Sequence, residues 1–412
     1  MIDGFDKNKK YYGEVWFVEK EDEKQFCVMS FNDDDIWLET NLHSKQRNYK
    51  EPQILGLFTG LGYITFIDCR IQHSSSGITD TRIYRAKYSF VSHKHLIDTQ
   101  TLKIKEFYIV NDVISKWVSH TLWYDHTEDK LHKKVFIDEY LIENINLKIT
   151  ISHYQNISTK RQTGLDISNR GAIKFELEEP IDILGAIAYY NQFQKVLQLT
   201  FGRSEKFRKF SFKCLGCGED KDFYYNDTQL TKSTSTFIHT DYEKVKNSLK
   251  SILSAAYTDD TFKFCLDKLM ENFIGKHPSH NKRFINSISA YEAYCKNYSK
   301  EGKNQLYKRI KENEEIFTKI GDFTDDIWKT FPNKVVRARD YHIHSNLDNK
   351  NIYSEFELLY ISFLFDYTIA YLLLAELDDI EDSLLNKFIE QGKNTFVGLQ
   401  RTNVILGSNP LI

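Results

Sequence analysis

Apolar positions recur along this chain with two different periods, and the change between them divides it. Over the first 225 or so residues, short aromatic and β-branched runs predict strands at 11–18, 25–31, 36–42, 54–58, 63–71 and 81–91. Polar turns such as Asn32-Asp33-Asp34-Asp35 and Ser74-Ser75-Ser76-Gly77 separate them. Ile145-x-Leu147-x-Ile149-x-Ile151 and Ile173-x-Phe175-x-Leu177 alternate apolar with polar, the pattern of half-buried strands. One helix is embedded at 182–200, where Asp182 can cap the start and Gly202 close the end. Strands resume at 209–213 and 223–225.

After the polar stretch 231–235 the apolar spacing lengthens to that of helices. It predicts them at 242–256, 260–274, 280–297, 303–319, 323–345, 352–377 and 380–391. Pro332 suits the first residue of a new helix, which would break 323–345 there. Gly392 reads as the end of the last helix. The chain is therefore expected to be α+β and multidomain, a β-rich N-terminal region (a sandwich or curved sheet) followed by an all-α helical bundle. The expected boundaries are 1–235, with a sub-boundary near 125–135, then 240–392, then an extended tail at 393–412.

One helix needs a separate argument. Residues 358–375 hold a single charge, Asp366, over eighteen positions, near the length that spans a bilayer. Tyr360, Ser362, Tyr367, Thr368 and Tyr371 interrupt the run, and Glu355, Glu357 and Glu376 flank it. A core or interface helix, apolar nearly all round, accounts for these better than a membrane span. Its apolar surface exceeds what a lone bundle needs, so a second copy is expected to cover part of it.

Composition narrows the partners. The chain of 412 residues is 41% hydrophobic and 27% charged, with net charge −3. That balance excludes a sequence-blind nucleic-acid coat but not an enzyme that grips a few phosphates. The six cysteines show no disulfide framework, and the start Met1-Ile2-Asp3-Gly4 carries no signal peptide, so the cytoplasm is expected. Cys214-Leu215-Gly216-Cys217 has a knuckle spacing without a second pair, so a β-turn with two buried thiols is favoured over a zinc site.

Chemistry concentrates at 331–344, where Arg339-Asp340-x-x-x-His344 ends a late helix. On the residues alone, a surface Arg with a satisfied His remains open. Arg337-x4-His342 repeats the spacing two residues earlier. Upstream, Ile285, Ile288, Glu292 and Cys295 share one helix face. Glu292 is thus expected to be buried and to need a cation such as Arg339 or Arg337.

Arg339-Asp340-Tyr341-His342-Ile343-His344 resembles the Arg-Asn-Tyr-x-x-His signature of the Apea-like HEPN proteins of bacterial defence systems, with Asp in place of the commoner Asn. Phe284-Ile285-Asn286-x-Ile288-Ser289-Ala290-Tyr291-Glu292 resembles that family's second helix with its Ala-x-Glu element. Gly13-Glu14-Val15-Trp16, Ile54-Leu55-Gly56-x-Phe58, Tyr63-Ile64-Thr65-Phe66, and Phe107-x-Ile109 running on to Trp117, resemble the module preceding it.

The resemblance implies a HEPN bundle at 240–392 and a metal-independent endoribonuclease without cofactor, working by attack of the RNA 2′-OH in antiviral or abortive-infection defence. Transfer RNA is a candidate target and a phage-derived molecule a candidate trigger. Two protomers would join through the HEPN domain, as a homodimer or larger homo-oligomer, and face their motifs into one cleft. The alternative is a catalytically idle HEPN module that binds a nucleotide or a partner protein.

In the enzyme reading His344 is the acid/base and Arg339 meets the phosphorane's charge. Asp340, one turn before His344, orients its ring, while a second negative charge beside the phosphate slows the reaction. His342, Arg337, Tyr341 and Glu292 are accessory candidates. Lys303, Lys308 and Arg309 are expected to contact RNA backbone, ahead of the strand-face run Arg203, Lys206, Arg208, Lys209 and Lys213.

Overall fold

The structure is a computed structural model. It describes residues 8–18, 20–32, 35–43, 50–75, 80–97, 102–118, 123–125, 130–132, 136–160, 164–203, 209–215, 220–225, 240–274, 277–298, 305–349 and 352–405. The chain divides into two compact units, one of residues 1–116, 120–189 and 205–231, the other of residues 117–119, 190–204 and 232–412.

The first unit is a continuous antiparallel sheet. Strands β1 (Tyr11–Phe17), β2 (Gln25–Asn32), β3 (Asp35–Thr40), β4 (Lys50–Phe58), β5 (Gly62–Ser75) and β6 (Thr81–Ala86) close on one another in the order β5-β4-β1-β2-β3-β6-β5. The curved-sheet expectation thus resolves into a six-stranded barrel.

Closure depends on β5 changing partner along its length. Its first half pairs with β7 (Tyr88–Ser92), and its second half, from Arg70, with β6. Asp68 lies between the two halves at φ +54°, a left-handed kink that aims the strand from one neighbour to the next. Val15, Cys27, Met29, Leu38, Ile54, Ile64, Phe66 and Tyr84 fill the barrel, each with essentially no exposure. Gly13 lets β1 pass close to β4, because a Cβ there would lie 2.2 Å from the Leu57 carbonyl oxygen.

From β7 the sheet continues through β13 (Asp220–Tyr225), β12 (Lys209–Cys214), β8 (Ile104–Val110), β11 (Gly164–Ile181), β10 (Leu147–Lys160) and β9 (Phe136–Ile142). Phe107 anchors this half, stacked on Phe175 at 4.6 Å and on Phe210 at 5.4 Å. The knuckle motif contributes Cys214, which is buried, whereas Cys217, with Lys206 and Arg208 of the basic run, lies outside the described residues. The stretch 231–235 lies outside them as well. The embedded helix is Ile183–Phe201, capped as expected by Asp182, whose Oδ1 accepts from Gly185 N at 2.7 Å.

The second unit is a helical bundle. Numbering its helices from the C-terminal run, α1 is Tyr242–Thr258, α2 Asp260–Ile274, α3 His280–Tyr298, α4 Leu306–Glu312, α5 Glu314–Gly321, α6 Asp325–His344, α7 Glu355–Ala375 and α8 Asp382–Ile405. Three helix expectations change. The single helix at 303–319 is two, parted at Asn313, whose side chain donates to the Tyr291 hydroxyl at 2.8 Å. Pro332 starts no new helix and instead lies buried inside α6, where a missing N–H is tolerated because its ring is packed. Gly392 ends nothing. It is buried mid-helix, where a Cβ would come within 2.8 Å of Ile320 Cγ2, so it serves close packing and α8 runs on to Ile405 in place of the expected extended tail. Residues 406–412 lie outside the described residues.

Helix α7 holds the apolar run, long and apolar enough to cross a membrane, yet 78% of its most apolar eighteen residues is buried inside the protein. A Ser354–Glu357 capping box starts it. The bundle's own helices cover the surface that was expected to demand a second copy, so α7 supplies no argument for a dimer. Past the two glutamates of its first turn its one charge, Asp366, has no exposure and is fully paired. Arg283 of α3 meets Oδ2 at 2.8 Å, while Asn272 of α2 and Ser287 of α3 each donate to Oδ1 at 2.8 Å. Arg283 also reaches the Asn272 carbonyl and lies over the Phe363 ring. Asp366→Ala, which strands that guanidinium, is expected to lower stability by about 3–5 kcal/mol. Urea denaturation measures it, and an unmoved midpoint would show that the pair holds nothing together.

Candidate active site

The Arg339-to-His344 motif occupies the last two turns of α6. Apolar residues of that helix, Trp328, Phe331, Val335 and Ala338, turn into the bundle, which leaves Arg337, Arg339, Asp340 and His344 on its outer faces. Ser345 ends the helix at φ +55°, and its N–H returns to the Tyr341 carbonyl. His344 is therefore the last helical residue, exposed, with its ring directed back along the final turn to Arg339.

Arg339 is the centre of the arrangement. Nη2 lies 3.5 Å from Glu292 Oε1 on α3, and Nη1 lies 3.3 Å from Asp340 Oδ1 and 3.4 Å from His344 Nε2. A guanidinium only donates, so the His344 Nε2 lone pair is the acceptor in that contact. Arg339 Nε is buried and has no partner among the described residues. Arg339 and Glu292 are 26% and 27% exposed. Glu292 is thus half-buried rather than buried as expected, because it sits at the margin of its apolar stripe. At that exposure the pair contributes at most ~1 kcal/mol, and it orients the guanidinium more than it stabilises the fold.

Asp340 departs from its expected role. Its carboxylate is drawn to the adjacent guanidinium, the nearest full positive charge, and among the described residues it makes no bond to His344. Arg337 is not the partner of Glu292, since its Nε donates to Asn349 Oδ1 at 2.9 Å beyond the helix end.

His342 turns inward. Its ring meets the edges of Phe284 and Tyr341, so Arg337 and His342 point apart and form no second copy of the motif. Tyr341 is half-buried beside it. Of the expected RNA-contacting residues, Lys308 is exposed on α4, whereas Arg309 is half-buried with Nη1 3.3 Å from the Glu292 carbonyl oxygen. Lys303 lies outside the described residues.

The support behind Glu292 went unread in the sequence. Tyr291, next to it, donates to the Arg309 carbonyl at 2.6 Å and accepts from Asn313, tying α3 to α4 just behind the carboxylate. Farther along α3, Arg283 and Ser287 hold Asp366. The signal for that pair was a lone acid in an apolar helix, which requires a cation somewhere, but its partner is 83 residues away.

A family model described as Apea-like HEPN matches residues 237–382, and one described as ApeA N-terminal domain 1 matches residues 10–255. The chain belongs to the Apea-like HEPN family. It carries the ApeA-type N-terminal domain as well, and the two matches together run from the barrel to the start of α8. Comparison with curated proteins and with solved structures finds no match. HEPN domains are typically ribonucleases, and the defence theme comes with the family.

Within the HEPN domain His342 offers a pH test of this geometry. Burial pushes its pKa below the ordinary histidine value, so the unfolded chain takes up its proton first as the pH falls. The neutral ring is compatible with folding above pH ~6.5, and stability is lost as the pH drops from there through the lower folded value. Denaturation at pH 8 and pH 5 should show His342→Gln losing less stability on acidification than the wild type. Equal losses would place His342 in solvent.

Proposed function

We propose that this HEPN protein is an endoribonuclease that cleaves RNA by attack of the 2′-OH on the adjacent phosphate. The observation that carries the reading is the meeting of Arg339 and His344 on one turn, 3.4 Å apart, with Glu292 orienting the guanidinium from a second helix. RNA supplies its own nucleophile, so the protein needs only to move protons and stabilise charge. His344 Nε2, already an acceptor, takes the 2′-OH proton as the oxygen attacks phosphorus. The P–O5′ bond then breaks, and a protonated imidazole returns a proton to the leaving 5′-oxygen. The forked guanidinium of Arg339 meets the equatorial oxygens of the phosphorane, where negative charge builds. Such chemistry calls on no group outside the chain and leaves a 2′,3′-cyclic phosphate.

Two protomers joined through the HEPN domain fit this scheme. Support for the dimer comes from apolar side chains left exposed at the motif and just past it in the chain, Ile343 and Leu347, with Leu347 74% exposed. Lys308, exposed and next in sequence to Arg309, serves an RNA phosphate in this reading. A cytoplasmic role in antiviral or abortive-infection defence, with transfer RNA as target and a phage product as trigger, follows the family by analogy.

The second reading, an idle HEPN module that binds a nucleotide or a partner protein, is favoured by one observation. Arg339 faces two carboxylates, which leaves less of its charge for catalysis.

Incubation of the purified protein with total RNA in EDTA separates the two. Wild type should yield fragments with 2′,3′-cyclic phosphate ends. His344→Ala should lower the rate by roughly 10²–10⁴-fold with folding intact, because an exposed helix-end residue contributes little to the core. Arg339→Ala should act similarly and also weaken RNA binding, whereas His342→Ala should retain cleavage. Cleavage indifferent to both His344 and Arg339 would leave the binding-module reading in possession of the site.

A further inference from the structure

The two carboxylates on Arg339 are not equivalent. Glu292 approaches Nη2 from α3, a separate helix whose position is set by the buried Asp366 pair and by Tyr291. Asp340 approaches Nη1 from the neighbouring position on the same turn, 35% exposed, with only its own side-chain rotation holding it there. Nη1 is also the nitrogen that His344 Nε2 faces. A phosphate aligned for attack must lie beside both the guanidinium and the imidazole, and that place is the Nη1 edge. An anionic oxygen already stands there.

Charge sharpens the point. With Arg339 positive and Glu292 and Asp340 negative, the cluster at rest carries one net negative charge, and an incoming phosphodiester adds another. Exchanging Asp340 for a phosphate oxygen at Nη1 leaves the number of anions on the guanidinium unchanged. The displaced carboxylate needs only to rotate into water, giving up a part-exposed ion pair that solvent already weakens. The contact is therefore strong enough to compete with weakly held RNA and too weak to close the site.

We propose that Asp340 is an internal stand-in for the substrate phosphate, a positioning residue that occupies the Nη1 edge of Arg339 and sets a threshold that RNA must exceed before the motif engages it. This deepens the ribonuclease reading and rests on it. Asp340 then acts as a built-in restraint on affinity, exerted through Arg339 and not on the imidazole.

Asp340→Asn keeps size and hydrogen bonding and removes the charge, while Asp340→Ala removes both. Binding is measured with a 2′-O-methyl oligoribonucleotide, which lacks the nucleophile, and turnover with the unmodified RNA. Both variants should bind the probe roughly two- to fivefold more tightly, because the Nη1 edge of Arg339 no longer has to be vacated. KM should fall by a similar factor, with kcat changing less. In an Arg339→Ala background the gain should vanish, since the effect is exerted through the guanidinium.

Unchanged or weaker binding by both variants overturns the proposal, as does a full gain in the Arg339→Ala background, which would mark a general charge effect. If wild type cleaves RNA and the variants gain no affinity, the stand-in role fails and the ribonuclease reading survives. If nothing cleaves while Asp340→Asn binds the probe more tightly through Arg339, the stand-in role holds and the ribonuclease reading falls.

Discussion

A single buried charge orders the helical bundle. Asp366 lies in the middle of an apolar helix with no exposure, and a carboxylate there is tolerable only when donors surround it. Arg283, Ser287 and Asn272 supply them from two other helices, which fixes α2 and α3 against α7. Helix α3 then carries Glu292 to the bundle surface at the end of α6. The guanidinium of Arg339 has its direction because Glu292 stands there to receive it. The site is thus placed by an interaction it does not contain.

The two ion pairs differ in kind, and the difference follows from water. Asp366 and Arg283 are shielded, so breaking them leaves an uncompensated charge in a poor dielectric. Arg339, Glu292 and Asp340 are each about a quarter to a third exposed, and water weakens every contact among them. In the proposed reaction the Arg339 guanidinium benefits from that weakness. It must exchange partners when a phosphate arrives, which a fully buried pair cannot do. The same argument explains why Glu292, placed at the edge of its stripe, orients Arg339 without locking it.

The change of period near residue 240 announced a β-rich half and a helical half, because side-chain burial alternates by two in strands and by three to four in helices. Barrel closure was not legible. It depends on β5 switching partners at Asp68, a left-handed kink that no periodicity records. Pro332 and Gly392 have the usual look of helix punctuation, yet both are buried inside helices where packing overrides local preference. At the site, the spacing of Arg339 and His344 placed both on one end of one helix. The direction of Asp340 was illegible because helical spacing puts it one turn from His344 and says nothing of the competing guanidinium beside it. The partners of Asp366 are separated in sequence by 79 to 94 residues, beyond the reach of any local pattern.

The central claim is that the attacking group belongs to the RNA and the protein supplies only Arg339 and His344. Once a preferred cut position has been mapped on a defined RNA, the direct measurement replaces the single nucleotide 5′ of the cut by its 2′-deoxy counterpart. The account predicts that this RNA still binds and remains whole at that position while neighbouring positions are unaffected. Cleavage there at the original rate would mean that another nucleophile does the work, and the roles given to Arg339 and His344 would be wrong.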